Sequence, residues 1–180
     1  MQKDLIRLTE SAILVSIAVV FELLSKMVPF LQMPFGGSVS LAMLPVIIVA
    51  IRHGMGYGMM AGFVFGIVNY LIDGYAFFWG SFVFDYSLAF VALGLGGLFS
   101  KKALSGDVMS FVYAVLLASF ARYIMHSLSG VLFFAEYAGD HNVLIYSFIL
   151  YNGPYMLGSA ALCLMAGLTI YKRVLLVNQV

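Results

Sequence analysis

The chain has 180 residues, 63% of them hydrophobic and 9% charged, with a net charge of +1. A soluble domain carries about 25% charged residues, so lipid rather than water must cover this much apolar surface. Near-neutrality without a basic tract excludes a nucleic-acid partner, whose phosphates need clustered cations. The single Cys163 excludes a disulfide framework and a cysteine-based zinc site; in its apolar run it reads as a packing residue.

A membrane-spanning helix takes about 20 mostly apolar residues. Six such segments are predicted, at 8–30, 38–51, 54–72, 78–99, 107–134 and 143–171. The first has a basic start but no small-residue cleavage signature before Glu22, so it reads as a retained helix. Ala12 and Ser16 within it have the small-xxx-small spacing that lets helices approach closely. Glu22 and Lys26 follow in the favoured i,i+4 order and are read as an interfacial pair, not a site. The glycine-containing stretch MPFGGSVS at 33–40 reads as a connecting loop, in a place where a lid would also fit. The second segment is short, as if tilted or partly outside the hydrocarbon. Gly54, Asp73-Gly74, Gly106 and Gly139-Asp140 punctuate the rest. With no repeat, linker or soluble insertion, residues 1–180 are expected to form one transmembrane domain of all-α class.

Lys3, Arg7, Arg52, Lys101, Lys102, Lys172 and Arg173 fall on one side of this arrangement, Lys26, Asp73, Glu136 and Asp140 on the other. The positive-inside rule then makes both termini cytoplasmic.

Charge in hydrocarbon is costly, so polar groups inside spanning segments usually face a bundle interior and mark a site. At about 1.5 Å per residue, Asp85 lies about 10 Å below the outer end of its segment, His126 about 12 Å and Asn152 about 13 Å. A carboxylate, an imidazole and an amide on three helices thus share one depth. Arg122, His126, Gly130 and Phe134 recur every four residues and so share a helix face. Arg122 on that face is either a structural partner of Asp85 or a ligand contact. Aromatics crowd the same end, among them Tyr75, Tyr86, Tyr146, Tyr151 and Tyr155. Aromatic faces beside a carboxylate suit a flat organic cation, through cation–π attraction of up to about 2 kcal/mol and charge-assisted hydrogen bonds. No nucleophile motif, HExxH, paired glutamates or P-loop is present, so the chain is not read as an enzyme; no catalytic residue, metal ligand or cofactor is assigned.

Four stretches, GGSVSLAMLPVIIVAIRHG at 36–54, DYSLAFVALGLGGLF at 85–99, RYIMHSLSGVLFFAEYA at 122–138 and YNGPYM at 151–156, together make the chain resemble the thiamine-specific S-components of energy-coupling factor (ECF) vitamin transporters. The resemblance covers nearly the whole sequence. It implies a six-helix S-component fold, a membrane-embedded thiamine-binding subunit of an ATP-driven importer, and a pocket near the outer face. It also implies partners: an ECF transmembrane coupling subunit and two cytoplasmic ATPases. By the same resemblance Asp85 and Tyr86 bind the aminopyrimidine, and His126, Gly130, Phe134, Asn152, Tyr75 and the basic Arg122 complete the pocket. Ala12 and Ser16 take the place of the family's small docking residues. One departure stands out. The family usually places a Tyr five residues before the Asn, followed by Ser; here Tyr146 is six before Asn152 and Ser147 five. A regular helix turns about 100° per residue, so either Tyr146 or Ser147 reaches the ligand. Rival readings are an S-component for another flat vitamin or precursor, a stand-alone small-molecule carrier, and a membrane enzyme.

Overall fold

The structure, a computed structural model, describes residues 2–34, 37–73, 76 and 78–176. Tyr75 and part of the 33–40 stretch therefore lie outside the described residues. Six helices correspond to the six predicted segments, with shifted ends. They are α1 (Gln2–Lys26), α2 (Met43–His53), α3 (Met55–Asp73), α4 (Trp79–Leu104), α5 (Val108–Phe133) and α6 (Ile145–Leu175). All but α2 are long and apolar enough to cross a membrane.

The amphipathicity is inverted relative to a soluble bundle. In α1 the buried residues are Ser11, Val15, Ala18, Glu22 and Ser25, while Leu5, Ile13, Ile17, Val20 and Leu24 point outward. Small and polar residues favour helix contacts where lipid tails already satisfy the large aliphatics.

Helix α2 is short, as expected. Every residue from Met43 to Ile51 is buried, so α2 is the centre of the bundle. At 1.5 Å per residue its length is about 16 Å, roughly half the hydrocarbon core. It starts later than predicted because 38–42 is held by side chains. The Ala42 N–H donates to Ser40 Oγ (3.1 Å), the Ser40 N–H to Ser159 Oγ (3.0 Å) and the Ser159 hydroxyl to the Ser38 carbonyl (3.4 Å). Such hydroxyl contacts offer the backbone an alternative to helix.

Helices α3 and α4 meet through glycine. Gly58, Gly62 and Gly66 lie four apart on one face of α3. A Cβ on Gly62 would stand 2.1 Å from the Phe90 carbonyl oxygen, and one on Gly66 1.8 Å from that of Tyr86. From α4, Gly94 and Gly97 approach the backbone of Met59 and Met55 equally closely. The backbone of α4 is correspondingly irregular, with wide π turns over Phe82–Leu88 and tight 3-10 turns over Ala92–Phe99.

One end of the bundle is tied by charge. Glu10 of α1 pairs with Arg52 and lies 3.1 Å from His53 Nε2, while Arg52 also donates to the Val174 carbonyl of α6. Nearby α5 begins on Asp107, which accepts from the Met109 N–H (3.1 Å) and the Ser110 hydroxyl (2.6 Å). The Ser110 hydrogen bond in particular holds the Asp107 carboxyl below its ordinary value. Glu10→Ala leaves Arg52 and His53 without their carboxylate, and breaking a buried pair on one side costs about 3–5 kcal/mol, less where water reaches it. At about 2–4 °C per kcal/mol for a chain of this size, thermal unfolding in detergent is expected to shift down by about 3–8 °C. An unchanged melting curve would assign this end of α1 no share in stability.

Candidate functional site

At the end opposite the Glu10–Arg52 pair the helices enclose a cavity of about 240 Å³. Nine of the ten residues singled out from the sequence for substrate binding line it: Asp85, Tyr86, Arg122, His126, Gly130, Phe134, Tyr146, Ser147 and Asn152. The tenth, Tyr75, lies outside the described residues.

A chain of hydrogen bonds runs through its centre. Arg122 Nε–H donates to His126 Nε2 at 3.1 Å, so that nitrogen carries a lone pair. The imidazole proton is then on Nδ1, which donates to Asp85 Oδ1 at 2.8 Å. Ser129, not recognised from the sequence, donates from Oγ to Asp85 Oδ2 at 2.5 Å. Both ring nitrogens of His126 are thus engaged, an arrangement that suits a neutral imidazole. Arg122 reaches Asp85 through His126, and its guanidinium lies 4.3 Å from the Phe90 ring centre, a cation–π contact. A carboxylate offers about four acceptor positions; among the described residues two on Asp85 are taken.

The second part of the site is on α6, where the chain again forms wide π turns over Ile145–Asn152. Pro154 lacks an N–H for the helix ladder, and π turns are frequent at functional sites. Across this irregular stretch both Tyr146 and Ser147 line the cavity. Asn152 Nδ2 donates to the Ser147 carbonyl at 2.9 Å, and Asn152 Oδ1 accepts from Tyr155 Oη at 2.9 Å. The Tyr155 ring stands edge-on to His126 at 6.2 Å, linking the two halves. Gly130 is needed where α5 meets α6, since a Cβ there would lie 2.2 Å from Ser147 Oγ.

Glu22 and Asn69 are among the cavity residues that escaped the sequence reading. Glu22, expected at the interface beside Lys26, is only 5% exposed and lines the cavity. Its pairing with Lys26 is present at 4.0 Å, but the α1 stripe that carries it faces inward, where it accepts from Ser38 Oγ at 3.1 Å. Asn69 of α3 is 4% exposed and also lines the cavity; its Oδ1 has no hydrogen-bond partner among the described residues. A lone amide in an apolar segment was the signal for it. Ala12 and Ser16 are both exposed on α1, away from the cavity, with the Ser16 hydroxyl turned back onto the Ala12 carbonyl. Among the described residues no group of three or more His, Cys, Asp and Glu is placed to hold a metal ion.

Comparison with known proteins now bears on this site. The family described as Thiamine transporter protein (Thia_YuaJ) matches residues 8–177. Thiamine transporter ThiT of Bacillus subtilis (strain 168) is 37% identical over 171 residues, covering 89% of this chain and 88% of the relative. Thiamine transporter ThiT of Lacticaseibacillus paracasei is 28% identical over 182 residues, covering 92% and 87%. A solved structure of ThiT from Listeria monocytogenes superposes with a TM-score of 0.82 at 28% identity, covering 97% of this chain and 99% of that one. The fold expectation is met: an all-α, multi-pass membrane bundle of the ThiT type. With the family matched along nearly its entire length, this chain belongs to the thiamine transporter protein family.

Proposed function

We propose that the cavity binds thiamine from the outer face and that the chain is the substrate-binding subunit of an ECF-type importer. The observation that carries this reading is the Arg122–His126–Asp85–Ser129 chain of hydrogen bonds. It presents a carboxylate with acceptor positions to spare beside a neutral imidazole, which suits an aminopyrimidine joined to a thiazolium cation. An imidazolium would repel that cation; the neutral ring does not. Asp85 and the oriented Asn152 accept from or donate to the aminopyrimidine. The thiazolium stacks between the His126 face and an aromatic such as Phe134, with Tyr86 and Tyr146 closing the sides and Gly130 leaving room.

Both termini are cytoplasmic in this reading, in keeping with the basic residues gathered at the Glu10–Arg52 end. The exposed face of α1 around Ala12 and Ser16 docks the coupling subunit, whose two ATPases drive inward release. Calorimetric titration of the detergent-purified chain with thiamine, riboflavin and biotin is the test. Tight binding of thiamine alone is expected, together with loss of thiamine uptake in cells lacking the ATPases. Tight riboflavin or biotin binding without thiamine binding would replace the ligand. Uptake that persists without the ATPases would make the chain a stand-alone carrier.

A further inference from the structure

The polar groups on α4, α5 and α6 largely satisfy one another. Asp85 holds His126 and Ser129, and Asn152 holds Ser147 and Tyr155. The wall built from α1, the following loop and α3 differs. Glu22 and Ser38 form one hydrogen-bonded pair there, and Asn69 places an amide in the cavity wall with its Oδ1 unpartnered among the described residues. An amide buried in an apolar bundle with unused hydrogen-bonding capacity is costly unless something else satisfies it. Helices α1 and α3 pack against each other, so Glu22 and Asn69 belong to neighbouring elements.

We propose that Glu22 and Asn69 form the specificity pole of the cavity, reading the free hydroxyl of the substrate's hydroxyethyl arm and rejecting its phosphate ester. The inference rests on the reading that thiamine occupies the cavity with its ring system on Asp85, His126 and Asn152. The hydroxyethyl arm is then the part without a partner on those helices. A primary alcohol has one donor and two acceptor positions. The Asn69 Oδ1, unpartnered among the described residues, takes the hydroxyl proton, and the Glu22 carboxylate of the neighbouring helix, already accepting from Ser38, supplies the negative charge of this pole. A phosphate ester carries negative charge and no comparable donor. It meets the Glu22 carboxylate as a like charge in a low-dielectric site, where such repulsion is poorly screened.

The experiment measures the affinity of the purified full chain for thiamine and for thiamine monophosphate, in the unaltered protein and in Glu22→Gln, Asn69→Ala and Asn69→Asp. Glu22→Gln is expected to narrow the preference for thiamine by about tenfold or more, a single charge contact in a poorly screened site. Asn69→Ala is expected to weaken thiamine by about three- to tenfold, one hydrogen bond. Asn69→Asp is expected to widen the discrimination by adding a second negative charge. If Glu22→Gln does not fold, the Asn69 variants decide, since Asn69 Oδ1 has no hydrogen-bond partner among the described residues. Ratios that stay put in every folded variant, with thiamine still bound tightly, overturn the specificity pole alone. Failure of the unaltered chain to bind thiamine overturns the underlying reading instead.

Discussion

Asp85→Ala is expected to weaken thiamine binding by about 30- to 4,000-fold, the 2–5 kcal/mol that follows when one member of a buried charged hydrogen-bond network is removed. Three losses coincide. The acceptor positions offered to the aminopyrimidine disappear. Ser129 Oγ and His126 Nδ1, held at 2.5 and 2.8 Å, lose their acceptor. Arg122, 7% exposed, then confronts the cationic ligand with no carboxylate between them. Asp85→Asn keeps the shape and removes the charge, so an intermediate loss is expected. Titration calorimetry alongside a melting curve separates a lost ligand contact from a lost fold. Near-native affinity in Asp85→Ala would remove this residue from the centre of the site.

Gly62→Ala is expected to cost more stability than any other single methyl group added on α3's glycine face except one at Gly66. Its Cβ would sit 2.1 Å from the Phe90 carbonyl oxygen, and a backbone oxygen cannot rotate away as a side chain can. Overpacking costs about 1–3 kcal/mol and more when backbone must move, so a drop in melting temperature of about 5–10 °C is expected. Gly62→Leu is expected not to accumulate as folded protein. Gly56 is the control: a Cβ there meets nothing within 4 Å, and Gly to Ala in a helix gains about 0.5–1 kcal/mol. Equal melting temperatures for Gly56→Ala and Gly62→Ala would contradict the close α3–α4 contact. Because α4 carries Asp85 and Tyr86, any partly folded Gly62 variant is also expected to bind thiamine less tightly.

The parts of the molecule legible in its sequence are those where one residue violates its surroundings. Asp85, Arg122, His126 and Asn152 interrupt apolar runs, and helical rise alone placed three of them at one depth. The structure joins Arg122, His126 and Asp85 by direct hydrogen bonds and reaches Asn152 through Tyr155. Asn69 obeys the same rule and was equally readable. Glu22 was misread because it has a helical partner in Lys26, and a pair four apart looks complete by itself. The information that overrides it is the 4-3-4-3 spacing of Ser11, Val15, Ala18, Glu22 and Ser25, which marks the inward face by its small and polar residues. Core position in α2 was not legible from composition, because a buried and a lipid-facing apolar helix look alike; only its brevity separates them. The glycines of α3 were visible as letters, but their partner, the α4 backbone, is a tertiary fact.

The wide turns at Phe82–Leu88 and Ile145–Asn152 carry a consequence for how such proteins diverge. A π turn accommodates one surplus residue inside a helix while the ends stay where the membrane requires them. Length variation, which in most proteins is relegated to loops, can therefore occur in the middle of a spanning segment and next to the ligand. A one-residue insertion inside these helices would exchange side chains at the cavity wall without moving the bundle.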